Sequence, residues 1–152
     1  MKRLLIIIIA LCTIGYCQAQ TIALGERTPR IKKAKWLNGN TPEKSDYTYI
    51  EFILSKSVPC RTTVEHLYAY ISKKPNINFV LISHESATEI DQWVTNYISS
   101  SSGIIIDDEK IRQEFGVKYA PFAVIIDQKR RALWFGNPQL LEIKQIEELI
   151  NN

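Results

Sequence analysis

Residues 51–61, EFILSKSVPCR, decide the fold prediction, because they have the pattern of a buried strand that leads into a helix. Residues 48–54 are apolar on both faces except at Glu51, as in a central strand covered on both sides. Ser57 is a good helix N-cap, and proline is tolerated in the first turn. Apolar residues then recur at i, i+4, i+7, i+8 and i+11, the stripe of an amphipathic helix. The stripe consists of Cys60, Val64, Leu67, Tyr68 and Ile71.

The rest of the chain alternates between further strands and helices. A capping box at residues 86–89 and an apolar stripe through Ile98 predict a second helix. Gly116 ends a brief helix that Asp108 can cap. The predicted strands are 30–37 at an edge, 48–54, 79–82, 104–106, and the hairpin 122–126 with 132–135, and a last helix covers 141–150. This order predicts one α/β layered domain.

The N-terminus has the pattern of a secretory signal. Lys2 and Arg3 precede an apolar run over residues 4–14, which is shorter than the ~20 residues of a membrane span. We predict cleavage after Ala19, which gives a signal peptide of residues 1–19 and a domain of residues 20–152. Lipid attachment at Cys17 and an uncleaved anchor are the alternatives.

Removal of the signal changes both the charge and the number of thiols. Loss of Lys2 and Arg3 lowers the formal net charge from +3 to +1, which gives no reason to expect nucleic acid or a membrane surface as partner. Loss of Cys12 and Cys17 leaves Cys60 alone. Export predicts an oxidising compartment, but a single thiol cannot form an internal disulfide.

The chain resembles exported thioredoxin-fold proteins of the TlpA/ResA-like group over nearly all of residues 22–152. Residues 51–61 resemble the strand that leads into the family's Trp-Cys-x-Pro-Cys-Arg helix start. Residues 115–121, FGVKYAP, resemble the approach to the family's cis-proline, and residues 124–127 with Trp134 and 136–138 resemble its late hairpin. The resemblance implies a thioredoxin-like α/β fold, a central mixed sheet flanked by helices.

The chain departs from this family at the residues that carry the chemistry. Lys56 stands in place of the tryptophan, and Ser57 stands in place of the attacking cysteine. Dithiol exchange needs an exposed thiolate and a second thiol that resolves the mixed disulfide. Ser57 has no evident base, since neither His66 nor His84 is near it in sequence, so we interpret it as a cap rather than a nucleophile.

Cys60 and Glu51 each have two interpretations. The stripe turns the Cys60 side chain inward, where a cysteine is an inert small hydrophobe, whereas its place in the first helical turn favours a thiolate. The resemblance implies that Glu51 is the buried proton acceptor of that thiol. Glu51 is otherwise a satisfied structural acid, at a strand end or paired with a lysine, and burial without a partner would raise its pKa.

Pro121 contributes to binding in this interpretation. The resemblance implies a cis Ala120–Pro121 bond whose backbone pairs with an extended segment of a partner, and Val58 and Pro59 lie on the other side of that groove. Tyr119 is an exposed anchor or a core residue. Because this surface needs no sulfur, binding can persist where catalysis is lost.

The prediction is an exported, periplasmic partner-binding module for a protein or peptide, non-catalytic or weakly redox-active, with a degenerate Ser57-x-x-Cys60 site. Enzymatic activity stays an open question. The leading alternative is a monothiol redox protein that forms a mixed disulfide through Cys60. A peroxiredoxin-like thiol peroxidase is a weaker alternative, since the proline expected upstream is absent. We expect no cofactor and no metal, because Cys60, His66 and His84 match no familiar ligand spacing.

Overall fold

A computed structural model describes residues 22–107 and 109–151. The predicted signal segment with its cut after Ala19, the cysteines Cys12 and Cys17, and Asp108 as a helix cap lie outside the described residues. Within these ranges no helix has both the length and the apolar character needed to cross a membrane.

The described residues form one mixed six-stranded sheet in the order β1-β4-β3-β2-β5-β6. The central strands β2, β3 and β4 are parallel, whereas β1, β5 and β6 run antiparallel to their neighbours. The strands are β1 (Lys35–Trp36), β2 (Tyr47–Ile53), β3 (Ile77–Ser83), β4 (Ser102–Ile106), β5 (Phe122–Asp127) and β6 (Ala132–Gly136).

Helices lie at the ends and on the faces of this sheet. The α-helices of the described ranges are α1 (Val58–Ile71), α2 (Lys110–Glu114) and α3 (Ile143–Ile150). Short 3-10 helices are formed by Leu37–Gly39, Gln92–Tyr97 and Pro138–Leu140. The α/β fold with a central mixed sheet flanked by helices is confirmed.

Side-chain alternation along the strands gives the sheet two buried faces. On one face Tyr49 stacks on Phe79 with ring centroids 5.0 Å apart, and α1 and α3 pack over them. On the other face Ile50 and Val80 pack beneath the N-terminal segment and α2. Glu51 has the parity of Tyr49, so its carboxyl group lies on the α1 face.

The prediction of an α-helix over residues 86–98 is wrong. Ser86 and Glu89 do form the predicted capping contact, since the Ser86 N–H donates to Glu89 Oε2 over 3.1 Å. The helix is not continued, because the Asp91 N–H and the Trp93 Nε1–H donate to Ser55 over 2.9 and 2.8 Å. These long-range bonds redirect the chain into the 3-10 helix Gln92–Tyr97.

Two other boundaries differ from the prediction. The edge strand expected over residues 30–37 is reduced to Lys35–Trp36, because Lys33 has φ 53°, which does not occur in a strand. At α2 the Asp107 carboxylate accepts from the N–H groups of Ile111 and Arg112, each at 3.0 Å. Asp107 is therefore a cap that the sequence interpretation missed.

Candidate functional site

The candidate site begins at the N-terminus of α1, where Ser57 is the N-cap as predicted. Its backbone is extended, with φ −85° and ψ 119°, and its hydroxyl accepts from the Cys60 N–H over 3.5 Å. Pro59 lies in the first turn, where its missing N–H leaves no helical hydrogen bond unmade. The serine oxygen thus caps the helix at the position where the resemblance expects the attacking sulfur.

The loop that leads into this cap is held by a network around Ser55. Glu85 accepts from the Ser55 N–H over 2.6 Å and from the Ser55 hydroxyl over 2.8 Å. The Ser83 hydroxyl donates to Glu85 over 2.9 Å. Together with the bonds that Ser55 accepts from Asp91 and Trp93, these contacts fix residues 54–57. The sequence interpretation missed this network, because its members are about 30 residues apart in the chain.

Cys60 points inward and has no solvent exposure. The Leu54 N–H lies 3.4 Å from its Sγ, and Cys60 is a free cysteine in the core between α1 and the sheet. Burial raises the pKa of the Cys60 thiol, and the charges of Glu51 and Glu85 raise it further, against the lowering effect of the contacts with Leu54 and Ser57. The sulfur is therefore a neutral, covered thiol at neutral pH.

Glu51 is fully buried in the middle of β2. Its Oε2 accepts from the Tyr49 hydroxyl over 2.6 Å, and its Oε1 lies 2.5 Å from the Thr63 hydroxyl. Desolvation by burial raises the pKa of Glu51 to about 7, although both of these hydrogen bonds lower it. Burial also raises the pKa of Tyr49 well above its ordinary value, so that side chain stays a donor.

The Thr63 hydroxyl connects Glu51 to the first turn of α1. The Thr63 hydroxyl has one hydrogen, yet it lies near three acceptors: Glu51 Oε1, the Cys60 carbonyl at 2.9 Å and the Pro59 carbonyl at 3.1 Å. Thr63 donates to Glu51 Oε1, which is the nearest of the three acceptors. One hydrogen-bonded network thus connects Tyr49, Glu51, Thr63 and the start of α1. The period-two spacing of Tyr49 and Glu51 is the sequence signal that indicates their contact.

The loop before β5 supplies the other side of the site. The Ala120–Pro121 peptide bond is cis, Pro121 is buried and Ala120 is half-buried. Ala120 and Leu54 line the same pocket of about 320 Å³, together with His84. The structure therefore brings the end of β2, the cis-proline loop and His84 together at one edge of the sheet.

Apolar side chains at the start of α1 and in the cis-proline loop are exposed. Val58 is 75 % exposed and Pro59 is exposed in the first turn of α1, while Tyr119 is 52 % exposed in the proline loop. The Tyr119 ring packs edge-on against Phe122 with centroids 5.5 Å apart. Within the described ranges the backbone groups of Tyr119 and Ala120 make no hydrogen bond. An extended segment can therefore pair there.

Neither histidine serves Ser57 as a base in this arrangement. His66 is exposed on α1, and His84 is half-buried in the pocket beside Leu54. In the described part of the chain, the hydrogen bond of the Ser57 side chain is the one from the Cys60 N–H. The same part contains no group of three His, Cys, Asp or Glu side chains arranged to hold a metal ion.

Comparisons with solved structures identify the fold. The chain is similar to a thiol:disulfide interchange protein from Bacteroides sp., with TM-score 0.66, 16% identity and coverage of 87% of this chain and 93% of that one. It is similar to a thioredoxin-like protein from Aeropyrum pernix, with TM-score 0.60, 17% identity and coverage of 70% and 77%. It is also similar to a secreted disulfide oxidoreductase from Mycobacterium tuberculosis, with TM-score 0.54, 18% identity and coverage of 68% and 78%.

At these identities the likeness shows the fold, which is thioredoxin-like. No protein-family model and no curated protein matches this chain.

Proposed function

We propose that this protein is an exported, thioredoxin-like binding module that has lost dithiol exchange and keeps a groove for an extended segment of a partner protein or peptide. The observation that carries the proposal is the burial of the Cys60 sulfur behind a serine cap. With a hydroxyl at the exposed position and a covered neutral thiol behind it, neither step of dithiol exchange has its nucleophile.

Exposed apolar side chains at the start of α1 and in the cis-proline loop support the binding role. Val58 and Pro59 offer apolar contact on one side, and Tyr119 does so on the other. The unpaired backbone of Ala120 offers hydrogen bonds to an added strand. Exposed apolar side chains that flank free backbone groups are typical of peptide-binding edges.

The basic and apolar N-terminal residues 1–19 support export, and the partner is then an extracytoplasmic protein or peptide. The module needs no cofactor for this role.

The accessibility of the thiol separates this proposal from the two redox alternatives. We titrate the folded protein with a chromogenic disulfide reagent from pH 6 to pH 9, and the unfolded protein in urea serves as control. We expect Cys60 to react only in urea, and we expect no turnover in a disulfide-reduction assay. Rapid modification of the folded protein at neutral pH, with turnover that Cys60→Ala abolishes, would favour a monothiol mechanism.

The groove itself is tested by site-specific cross-linking in cells that export the protein. A photo-reactive amino acid at position 119 should capture a partner, and Val58→Asp should remove the captured band. Leu140, which is 76 % exposed, provides matched controls as a second cross-linker position and as Leu140→Asp. Equal capture at positions 119 and 140 would contradict a specific groove.

A further inference from the structure

The second face of the sheet carries a cavity of about 1090 Å³, on the opposite side from Glu51 and α1. Its floor is apolar and comes from β2, β3 and β4 through Ile50, Val80 and Ile105. Phe115 closes one end. The volume is slightly larger than the ~300–1,000 Å³ that ligand cavities usually occupy.

The other end of the cavity is polar. Thr48 and Asn78 are register partners one layer below Ile50 and Val80, and both line the cavity. Ser45 also lines it, and in the described residues its hydroxyl is a buried oxygen with no hydrogen-bond partner. The cavity therefore changes from aliphatic to polar along its length, and it holds an unused hydrogen-bonding group at the polar end.

The rim of the cavity carries more positive than negative charge. Arg30, Lys32, Lys44 and Arg130 line it, against Glu43 and Asp127. Asp127 is bound by Arg131 at 2.6 Å, and the Arg130 guanidinium also donates to the Thr28 carbonyl over 2.6 Å. In the described residues Arg30, Lys32 and Lys44 have no ion pair. The head group of an anionic ligand at this rim would lie near these three cationic side chains.

The segment over the floor is held mainly at its ends. Thr28 is bound to Arg130 by a backbone hydrogen bond of 2.8 Å, and β1 pairs with β4. Residues 29–33 between them make no hydrogen bond within the described part of the chain. Because no hydrogen bond within the described ranges holds residues 29–33, they can move and admit a ligand to the buried floor.

We propose that this cavity binds a single-chain amphiphile with an anionic head, a long-chain carboxylate, with its tail over Ile50 and Val80 and its head near Lys44 and Ser45. A peptide is disfavoured because β2 and β3 are paired on both sides and offer no backbone groups. An inorganic anion would leave the apolar floor unused. A bilayer surface does not reach a floor that residues 29–36 cover.

The test is calorimetric titration of the protein with decanoate and dodecanoate below their micelle concentrations. Each methylene should tighten the dissociation constant about fourfold, so dodecanoate should bind about fifteenfold more tightly than decanoate. Dodecyltrimethylammonium, which has the same tail and a cationic head, should bind more weakly. Equal affinity for the two carboxylates, equal binding of the cation, or inorganic phosphate binding as tightly would overturn the proposal.

Charge reversals locate the head group. Lys44→Glu combined with Arg30→Glu should weaken dodecanoate binding by about tenfold or more. Lys35→Glu is the matched control, since Lys35 is exposed on the same segment and does not line the cavity. Lys35→Glu should weaken dodecanoate binding less than the double variant does; equal weakening would indicate a surface charge effect and refute binding in the cavity. Tight binding to anionic vesicles that Lys35→Glu abolishes would refute it in the same way.

Amide chemical shifts provide a readout that does not depend on variants. Dodecanoate should shift the amide signals of Asn78, Val80 and Phe115 and leave those of Val58 and Cys60 in place. Shifts confined to the residues at the start of α1 would refute binding of dodecanoate in the cavity. The cavity has no lining residue in common with the pocket beside the cis-proline loop, so failure of one proposal is distinguishable from failure of the other.

Discussion

Replacement of Glu51 by glutamine should remove most of the pH dependence of stability between pH 4.5 and pH 8. The folded protein holds the Glu51 proton with a pKa of about 7, against 4.5 for an unperturbed group. Since the folded pKa is raised, the folded state binds this proton more tightly, and stability is lost as pH rises from about 4.5 through 7. The difference between 7 and 4.5, at about 1.4 kcal/mol per pH unit, gives a loss of about 3 kcal/mol at pH 8.

The measurement is urea denaturation followed by tryptophan fluorescence at both pH values. Wild type should lose about 3 kcal/mol of unfolding free energy between pH 4.5 and pH 8 relative to Glu51→Gln, whose neutral amide has no such loss. Glu114→Gln, which removes an exposed carboxylate from α2, should retain the wild-type pH dependence. Parallel profiles for wild type and Glu51→Gln would show that Glu51 has the same pKa in the folded and unfolded states, and would refute the buried neutral acid.

Four further substitutions, at Thr63 and Ser57, test the same region. Thr63→Val removes the hydroxyl beside Glu51. Urea denaturation should show a loss of about 1 kcal/mol of unfolding free energy at pH 4.5 and about 2 kcal/mol at pH 8, where the lost hydrogen bond is to a charged group. Equal losses at the two pH values would mean that the Thr63 hydroxyl bonds only to the helix backbone. Ser57→Ala removes the cap and should destabilise the protein by about 1 kcal/mol at both pH values, whereas Ser57→Gly should cost only a few tenths. Ser57→Cys should form a disulfide with Cys60 that reductant opens, as counted by alkylation of thiols in the unfolded protein; two thiols that persist under mild oxidant would show that the loop holds the sulfurs apart.

Much of the fold follows from local patterns in the sequence. The all-apolar strand around Glu51, the stripe that begins at Cys60, and the charged turn between β5 and β6 each specify an element by period and by turn chemistry. They are also the elements that the structure confirms, as Tyr47–Ile53, Val58–Ile71 and the hairpin of Phe122–Asp127 with Ala132–Gly136. Local signals succeed there because tertiary contacts agree with them.

The elements that the sequence does not specify are those set by distant partners. The stripe through Trp93 fits a helix as well as any other in the chain, but the indole N–H binds the Ser55 carbonyl and the chain follows that bond. Lys33 gives no local sign of its left-handed backbone. In both cases a contact or a turn outside the local period determines the path.

At the site, too, some features follow from the local sequence and others depend on distant contacts. The cap role of Ser57 and the inward direction of Cys60 follow from position in the helix, and both are found in the structure. The state of Glu51 does not follow, because it depends on how completely α1 excludes water and on the hydroxyl of Thr63, twelve residues away. The sequence identifies Glu51 as a candidate site residue, but only its packing determines whether the carboxyl group is protonated.

A reactive Cys60 requires both exposure and ionisation, and different residues oppose each. Exposure is opposed by the loop whose Leu54 N–H contacts the sulfur and whose Ser55 is bound by Glu85. Ionisation is opposed by burial and by the charge that Glu51 acquires as pH rises. Opening the loop leaves the Glu51 charge in place, and protonating Glu51 leaves the sulfur covered, so no single one of these changes yields an attacking thiolate. A sulfur placed at position 57 avoids both obstacles, because that side chain is half-exposed at the helix N-terminus, where the helix dipole favours an anion.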